Sequence, residues 1–222
     1  SPRIAKKHKC NVHKPIEKSD TIPGSEKLIG RPVIVGFGPC GIFAALELAR
    51  NGYRPIVIER GKCMSERVKD VEAFKSVGVL NEDSNILFGE GGAGTFSDGK
   101  LTSGIKDPNI KFVMETFADA GAGEEIIYKH KPHIGTDVLR AVIVRLREHI
   151  IALGGEVRFG AKLCNISISN GELESITITS PDGGTEVLAT NAMILATGHS
   201  ARDTYELIKE ANLEMEQKPL SI

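Results

Sequence analysis

An α/β fold, with helices on both faces of a parallel sheet and a three-stranded antiparallel β-meander, is predicted by three features of this 222-residue chain. Two short β-branched runs, Val33-Ile34-Val35 and Ile56-Val57-Ile58, suit strands buried on both faces. A glycine turn and an apolar helical stretch join them, the order expected of a parallel crossover. From Lys162 to Ala189 the pattern changes to period-two alternation, broken at Asn170-Gly171 and at Pro181-Asp182-Gly183-Gly184, which is how hairpins read in sequence.

The first strand ends at Gly36. Gly36, Gly38 and Gly41 have the GxGxxG spacing, in which the first glycine allows a tight turn, the second lets a pyrophosphate approach the backbone, and the third lets helix and strand lie close. Pro39 suits the first turn of the helix, whose N–H groups and dipole point at the turn. Ala44, Ala45, Leu48 and Ala49 are expected to face the sheet. The second strand stops at Glu59, placed to accept hydrogen bonds from ribose hydroxyls and to disfavour a 2′-phosphate. A lone GxGxxG is a weak signal, met equally in simple tight turns. Flanked by two buried strands, a small-residue helix face and a carboxylate at this distance, it indicates an adenine dinucleotide.

Beyond Gly61, Val68, Val71, Phe74 and Val77 have helical spacing, with Gly78 as the stop. Phe88 to Gly104 is glycine-rich and has no apolar period. Successive N–H groups in such a segment can form an anion-binding concavity, to which Ser97, Asp98 and Lys100 add polar groups. A helix is predicted over Asn109 to Ala120, with Ile110, Val113 and Phe117 on one face. Thr136 and Asp137 are expected to cap a longer one through Leu153, buried along Val138, Val142, Leu146 and Ile150. Glu156 to Phe159 reads as a third parallel strand, and Ala192 to Gly198 as a buried strand ending in Ala-Thr-Gly.

A formal net charge of −1 and 5% aromatic residues without tryptophan argue against a nucleic-acid-binding surface. Basic residues concentrate at 1–31 (Arg3, Lys6, Lys7, Lys9, Lys14, Lys18, Lys27 and Arg31), which reads as a lead-in segment or the end of an upstream domain. No apolar run is long enough to cross a membrane and no signal peptide is visible, so a cytoplasmic location is expected. Cys10, Cys40, Cys63 and Cys164 are too scattered for a zinc site or a disulfide framework. His130 and His133, in a cationic loop, read as solvated histidines, and no metal is expected. His199, Arg202 and Asp203 follow a strand end where ligands of open sheets bind. A helix-start or ion-pair role is the simplest reading of Arg202 and Asp203.

The succession of βαβ, crossover, strand, meander and Ala-Thr-Gly strand resembles the FAD-binding domain of glutathione-reductase-type flavoproteins, a Rossmann-type domain. More narrowly, FGEGGAGTFSDGKL at 88–101 and ATGHSARD at 196–203 resemble an uncharacterised FAD-dependent dehydrogenase family. The resemblance covers about residues 30 to 222. It implies that Gly36, Gly38, Pro39, Cys40 and Gly41 face the FAD pyrophosphate, with Glu59 at the adenosine ribose and Arg60 and Gly61 beside it. It further implies that Gly92, Ala93, Gly94, Ser97, Gly99 and Lys100 run along the pyrophosphate toward the flavin. Leu163 would meet the adenine through its main chain, and Thr197 and Gly198 would close over the cofactor. Cys40 stands where that family more often has alanine.

These readings lead to an FAD-dependent oxidoreductase, with NAD(P)H as a candidate electron donor and an unidentified small-molecule substrate. An NAD-dependent dehydrogenase shares the first fingerprint, and a non-catalytic dinucleotide-binding module shares all of it. The late Gly-Asp strand and substrate domain of such flavoproteins are not seen after Gly198. The 32–222 domain is therefore expected to be an incomplete part of a longer protein, with catalytic residues outside it.

Overall fold

The computed structural model describes residues 24–97, 99–101, 107, 109–129 and 132–217. Its strands are β1 (Val33–Val35), β2 (Ile56–Glu59), β3 (Glu156–Phe159), β4 (Lys162–Ser169), β5 (Glu172–Thr179), β6 (Thr185–Ala189) and β7 (Met193–Leu195). Its helices are α1 (Pro39–Arg50), α2 (Met64–Val77), α3 (Asn109–Phe117), α4 (Thr136–Ala152) and α5 (Arg202–Glu210). The parallel sheet has the order β3-β2-β1-β7, and β4-β5-β6 form the antiparallel meander.

Register follows from the period of two. Val33 lies opposite both Ile56 and Met193, so alternate residues of neighbouring strands share a face. Ile34 and Val57 point into a core shared with α1, α3 and α4, whereas Val33, Val35, Ile56 and Ile58 pack on Leu163, Ile166, Ile176 and Ile178 of the meander. The helices thus cover one face, and the meander with Leu207 of α5 covers the other. Fully buried Leu46, Val142 and Ile150 each contribute about 2 kcal/mol by leaving water.

Several elements are rotated or shortened relative to the sequence reading. In α1 the buried residues are Gly41, Ile42, Ala45, Leu46 and Ala49, while Ala44 and Leu48 are half-buried. Its axis lies so that the stripe is centred on Ile42 and Leu46. In α2, Phe74 and Val77 are exposed and the charged Arg67 is fully buried. In α4 the N-cap is Gly135, Leu139 replaces Val138 on the buried stripe, and the Thr136 hydroxyl donates to the Ser97 carbonyl at 3.1 Å. α3 ends at Phe117, where a wide turn over Ala118–Ala122 admits Gly121 at φ 97°. Ile194 and Leu195 of β7 are 37% and 36% exposed, because β7 is an edge strand of the described sheet.

The described part of the basic lead-in is fastened to the sheet. Arg31 pairs with Glu156 at 2.6 Å and donates to the Arg54 and Pro55 carbonyls, and the Ile29 N–H donates to the Asn191 side chain. Residues 1–23, Cys10 among them, lie outside the described residues, as do Asp98 and His130.

Candidate cofactor-binding site

A groove of about 420 Å³ opens at the carboxyl ends of β1 and β2, where the strand order reverses from β2 on one side of β1 to β7 on the other. Its glycines have different reasons to be glycine. Gly36 has φ 102°, and a Cβ there would come within 2.5 Å of the Ala196 carbonyl oxygen; Gly41 lies against the carbonyl of Gly36. Both are required by the packing of the chain on itself. Gly38 differs: its φ of −80° suits any residue, and a Cβ would find only Gly92 Cα, at 3.7 Å. What its missing side chain leaves open is the groove. No side chain caps α1, and Pro39 occupies its first turn, so the next N–H groups are left for an anion.

Glu59 is only 5% exposed and holds three backbone donors. Its Oε2 accepts from Phe37 N–H at 2.8 Å, and its Oε1 from Gly61 and Gly89 N–H at 2.9 and 3.0 Å. A carboxylate offers about four acceptor positions, so roughly one remains for a ribose hydroxyl. The same carboxylate therefore shapes the groove and faces it, tying the β1 turn, the end of β2 and the glycine-rich loop together.

That loop is held from behind by a buried guanidinium. Arg67, on α2, donates to the carbonyls of Asn85, Ile86, Gly89 and Glu90 at 2.6 to 3.3 Å. Burial pulls its pKa down to about 10, with Glu59 and Glu90 opposing, so it stays charged at neutral pH. Phe96 lies between Arg67 and Arg140, with ring-to-guanidinium distances of 4.8 and 4.6 Å. Glu90, fully buried, accepts from Met64 N–H at 2.6 Å and pairs with Arg147 at 2.9 Å. Burial pushes its carboxyl above the usual range, against the pull of Met64 and Arg147. The loop leaves through Gly99 and Lys100, which bridge to His133 and Ile134 before α4.

The opposite wall is α5. Asp203 accepts from Arg60 at 2.8 Å and from Lys162 at 2.6 Å, Arg60 lies 4.6 Å over the Phe88 ring, and the Tyr205 hydroxyl donates to the Gly198 carbonyl at 2.8 Å. Burial would raise the Asp203 carboxyl, but its two cationic partners hold it well below the usual range. A second, apolar cavity of about 480 Å³ adjoins the groove, sharing Pro39, Cys40 and Gly94 with it. Ser97, Gly99, Lys100 and the buried Thr95 lie along it, with Phe43, Phe117 and Leu139 as its floor.

Residues 30–218 match the family described as Pyridine nucleotide-disulphide oxidoreductase. The chain belongs to this family. It is an FAD/NAD(P)-binding oxidoreductase domain, and a Clostridium beijerinckii protein described as uncharacterized is 50% identical over 199 residues, 90% of this chain. The chain spans 36% of that relative's length. The crystal structure of Thermovibrio ammonificans THI4 superposes with a TM-score of 0.54 at 17% identity, over 83% of this chain and 64% of that one, which shows the fold alone. The glycerol-3-phosphate dehydrogenase of Bacillus halodurans, complexed with FAD, gives 0.48 at 12% identity, over 75% and 34% of the two chains.

Within the oxidoreductase domain, Gly36, Gly38, Pro39, Cys40, Glu59, Arg60, Gly92, Ala93, Gly94, Leu163, Thr197 and Gly198 line the groove, and Ser97, Gly99 and Lys100 line the second cavity. Gly41 and Gly61 do not reach either. A Cβ on Gly61 would meet Gly89 Cα at 2.5 Å, so its glycine serves the loop contact. Asp203 is an ion-pair residue, the simplest reading of its sequence, but its partners are the distant Arg60 and Lys162. Arg67, Glu90 and Tyr205 had no signal in the sequence. An arginine in a charged helix reads as solvent-facing, and only the loop folded over it shows otherwise.

No metal-binding cluster of His, Cys, Asp and Glu occurs among the described residues, and no described helix is long and apolar enough to cross a membrane. Cys40 and Cys164 are exposed and Cys63 is half-buried at the start of α2, all three as free thiols.

Proposed function

We propose that the groove binds FAD noncovalently and that the whole protein is an FAD-dependent dehydrogenase acting on a small molecule. The observation that carries this reading is the cradle made by Gly38, the uncapped start of α1 and the Gly92–Gly94 turn, which leaves room for a pyrophosphate and, at the start of α1, N–H donors. Glu59 and the main chain at Leu163 would hold the adenosine. Cys40, Ser97 and Lys100 stand on the flavin side, where the groove runs on into an apolar cavity. That continuation favours FAD over NAD, since it provides for a large ring system beyond the pyrophosphate.

FAD, when bound, supplies the hydride or electron transfer; this chain supplies binding and orientation. Glu59 would hold the cofactor's ribose against a turn it also fixes, and the α1 dipole would offset pyrophosphate charge. Purified full-length protein is expected to be yellow and to release FAD on denaturation, as identified by chromatography. A colourless protein that takes up no added FAD, or one that binds NAD more tightly in calorimetry, overturns the proposal.

A further inference from the structure

Asp203 links two cations that the chain brings to the groove from different elements. Arg60 directly follows Glu59 at the end of β2, Lys162 directly precedes Leu163 at the start of β4, and both side chains line the groove. Asp203 divides its oxygens between them: Oδ1 accepts from Arg60 Nη2 at 2.8 Å and Oδ2 from Lys162 Nζ at 2.6 Å. Arg60 is further set by Thr204 Oγ1 at 3.3 Å and by the Phe88 ring. Its side chain is 13% exposed, so the guanidinium is fixed rather than free to swing toward a ligand.

A cation beside the ribose-binding carboxylate is the usual means of accommodating a 2′-phosphate, and this groove has two. Left alone they would attract a dianionic group. With Asp203 and Glu59 present the four charges cancel; without Asp203 the set carries one net positive charge, and Lys162 and Arg60 are released. Glu59 alone would then oppose a 2′-phosphate, with most of its acceptor positions already taken by backbone N–H groups.

We propose that Asp203 determines nucleotide specificity: by occupying Arg60 and Lys162 it makes the groove select an adenine nucleotide with free ribose hydroxyls over one bearing a 2′-phosphate. The proposal rests on the reading of the groove as an adenosine site. It assigns α5 a selective role, because the helix brings to the two cations of the groove a carboxylate that belongs to neither the glycine turn nor the β2 end.

The test is displacement of bound FAD from the full-length protein by ADP-ribose and by 2′-phospho-ADP-ribose, followed through the fluorescence of released flavin. The wild type is expected to respond more readily to ADP-ribose. In Asp203→Asn the ratio of the two should shift about tenfold toward the 2′-phosphorylated compound, the scale of removing one partly screened neighbouring charge. Lys162→Met added to that variant should reverse much of the shift. Damage to the groove alone would weaken both ligands together, so an unchanged ratio overturns the proposal. Asp203→Ser carries the same expectation, and if neither variant folds, Asp203 serves the fold and the proposal fails. A wild type that holds no FAD instead overturns the FAD reading itself, whereas one that holds FAD while the variant ratios stay unchanged overturns only the role of Asp203.

Discussion

At the residue scale, the glycines of the first turn divide into those the chain's own packing needs and one whose missing side chain leaves the groove open. Gly36 and Gly41 meet backbone carbonyls, so any side chain there disturbs the turn. Gly38 meets nothing closer than 3.7 Å. Gly38→Ala is therefore expected to fold with the melting temperature of the flavin-free wild type but to retain little flavin, measured by absorbance per protein after gel filtration; full flavin content in that variant would remove the pyrophosphate from this position. Glu59 makes the opposite case. Its carboxylate accepts three backbone N–H bonds, and Gln would turn an NH2 group toward at least one of those donors. Glu59→Gln should thus cost about 1–3 kcal/mol of stability, since a buried donor loses its acceptor. Chemical denaturation checks this, and a loss of flavin with no loss of stability would confine Glu59 to ribose binding.

At the element scale, the glycine-rich loop is ordered by side chains outside it. Arg67 closes off carbonyls at 85–90, Glu90 ties the loop to the starts of α2 and to α4, and Phe96 sits between two guanidiniums. Arg67→Met keeps most of the volume but leaves the carbonyl oxygens of Asn85, Ile86 and Glu90 without their donor, while that of Gly89 keeps the Gly92 N–H, and is expected to cost about 3 kcal/mol. Hydrogen exchange should rise selectively over 85–92, with flavin affinity falling in parallel. Uniform exchange across the domain would mean that Arg67 supports the whole core and not the loop. The helices repeat the point: periodicity placed α4 correctly, yet Leu139 and not Val138 faces the core, because helix rotation is set by the partner surface, and the Thr136 hydroxyl is taken up by the Ser97 carbonyl of the glycine-rich loop.

At the scale of the whole molecule, the two faces of the parallel sheet carry different work. One is closed by α1, α3 and α4 into a helical core, and the other by the meander, whose first residues, with α5, complete the groove. The βαβ unit with Glu59 at the end of its second strand, and the meander with both its turns, were legible in the sequence. Each is a local pattern in which neighbouring residues dictate backbone geometry or face alternation. The exposure of β7 was not legible, since an edge strand and a buried one have the same short apolar run.

The sequence by itself determined that a glycine turn, a helix start and an acidic strand end would converge, because each is encoded within a few consecutive residues. What surrounds them came from the tertiary contacts: Glu59 supports the turn as well as lining the groove, Arg67 lies buried beneath the loop, and Asp203 reaches Arg60 and Lys162. Those contacts join residues separated by from about 20 to more than 140 positions, and no local pattern records which distant charge will be brought within 3 Å once two faces of a sheet are closed.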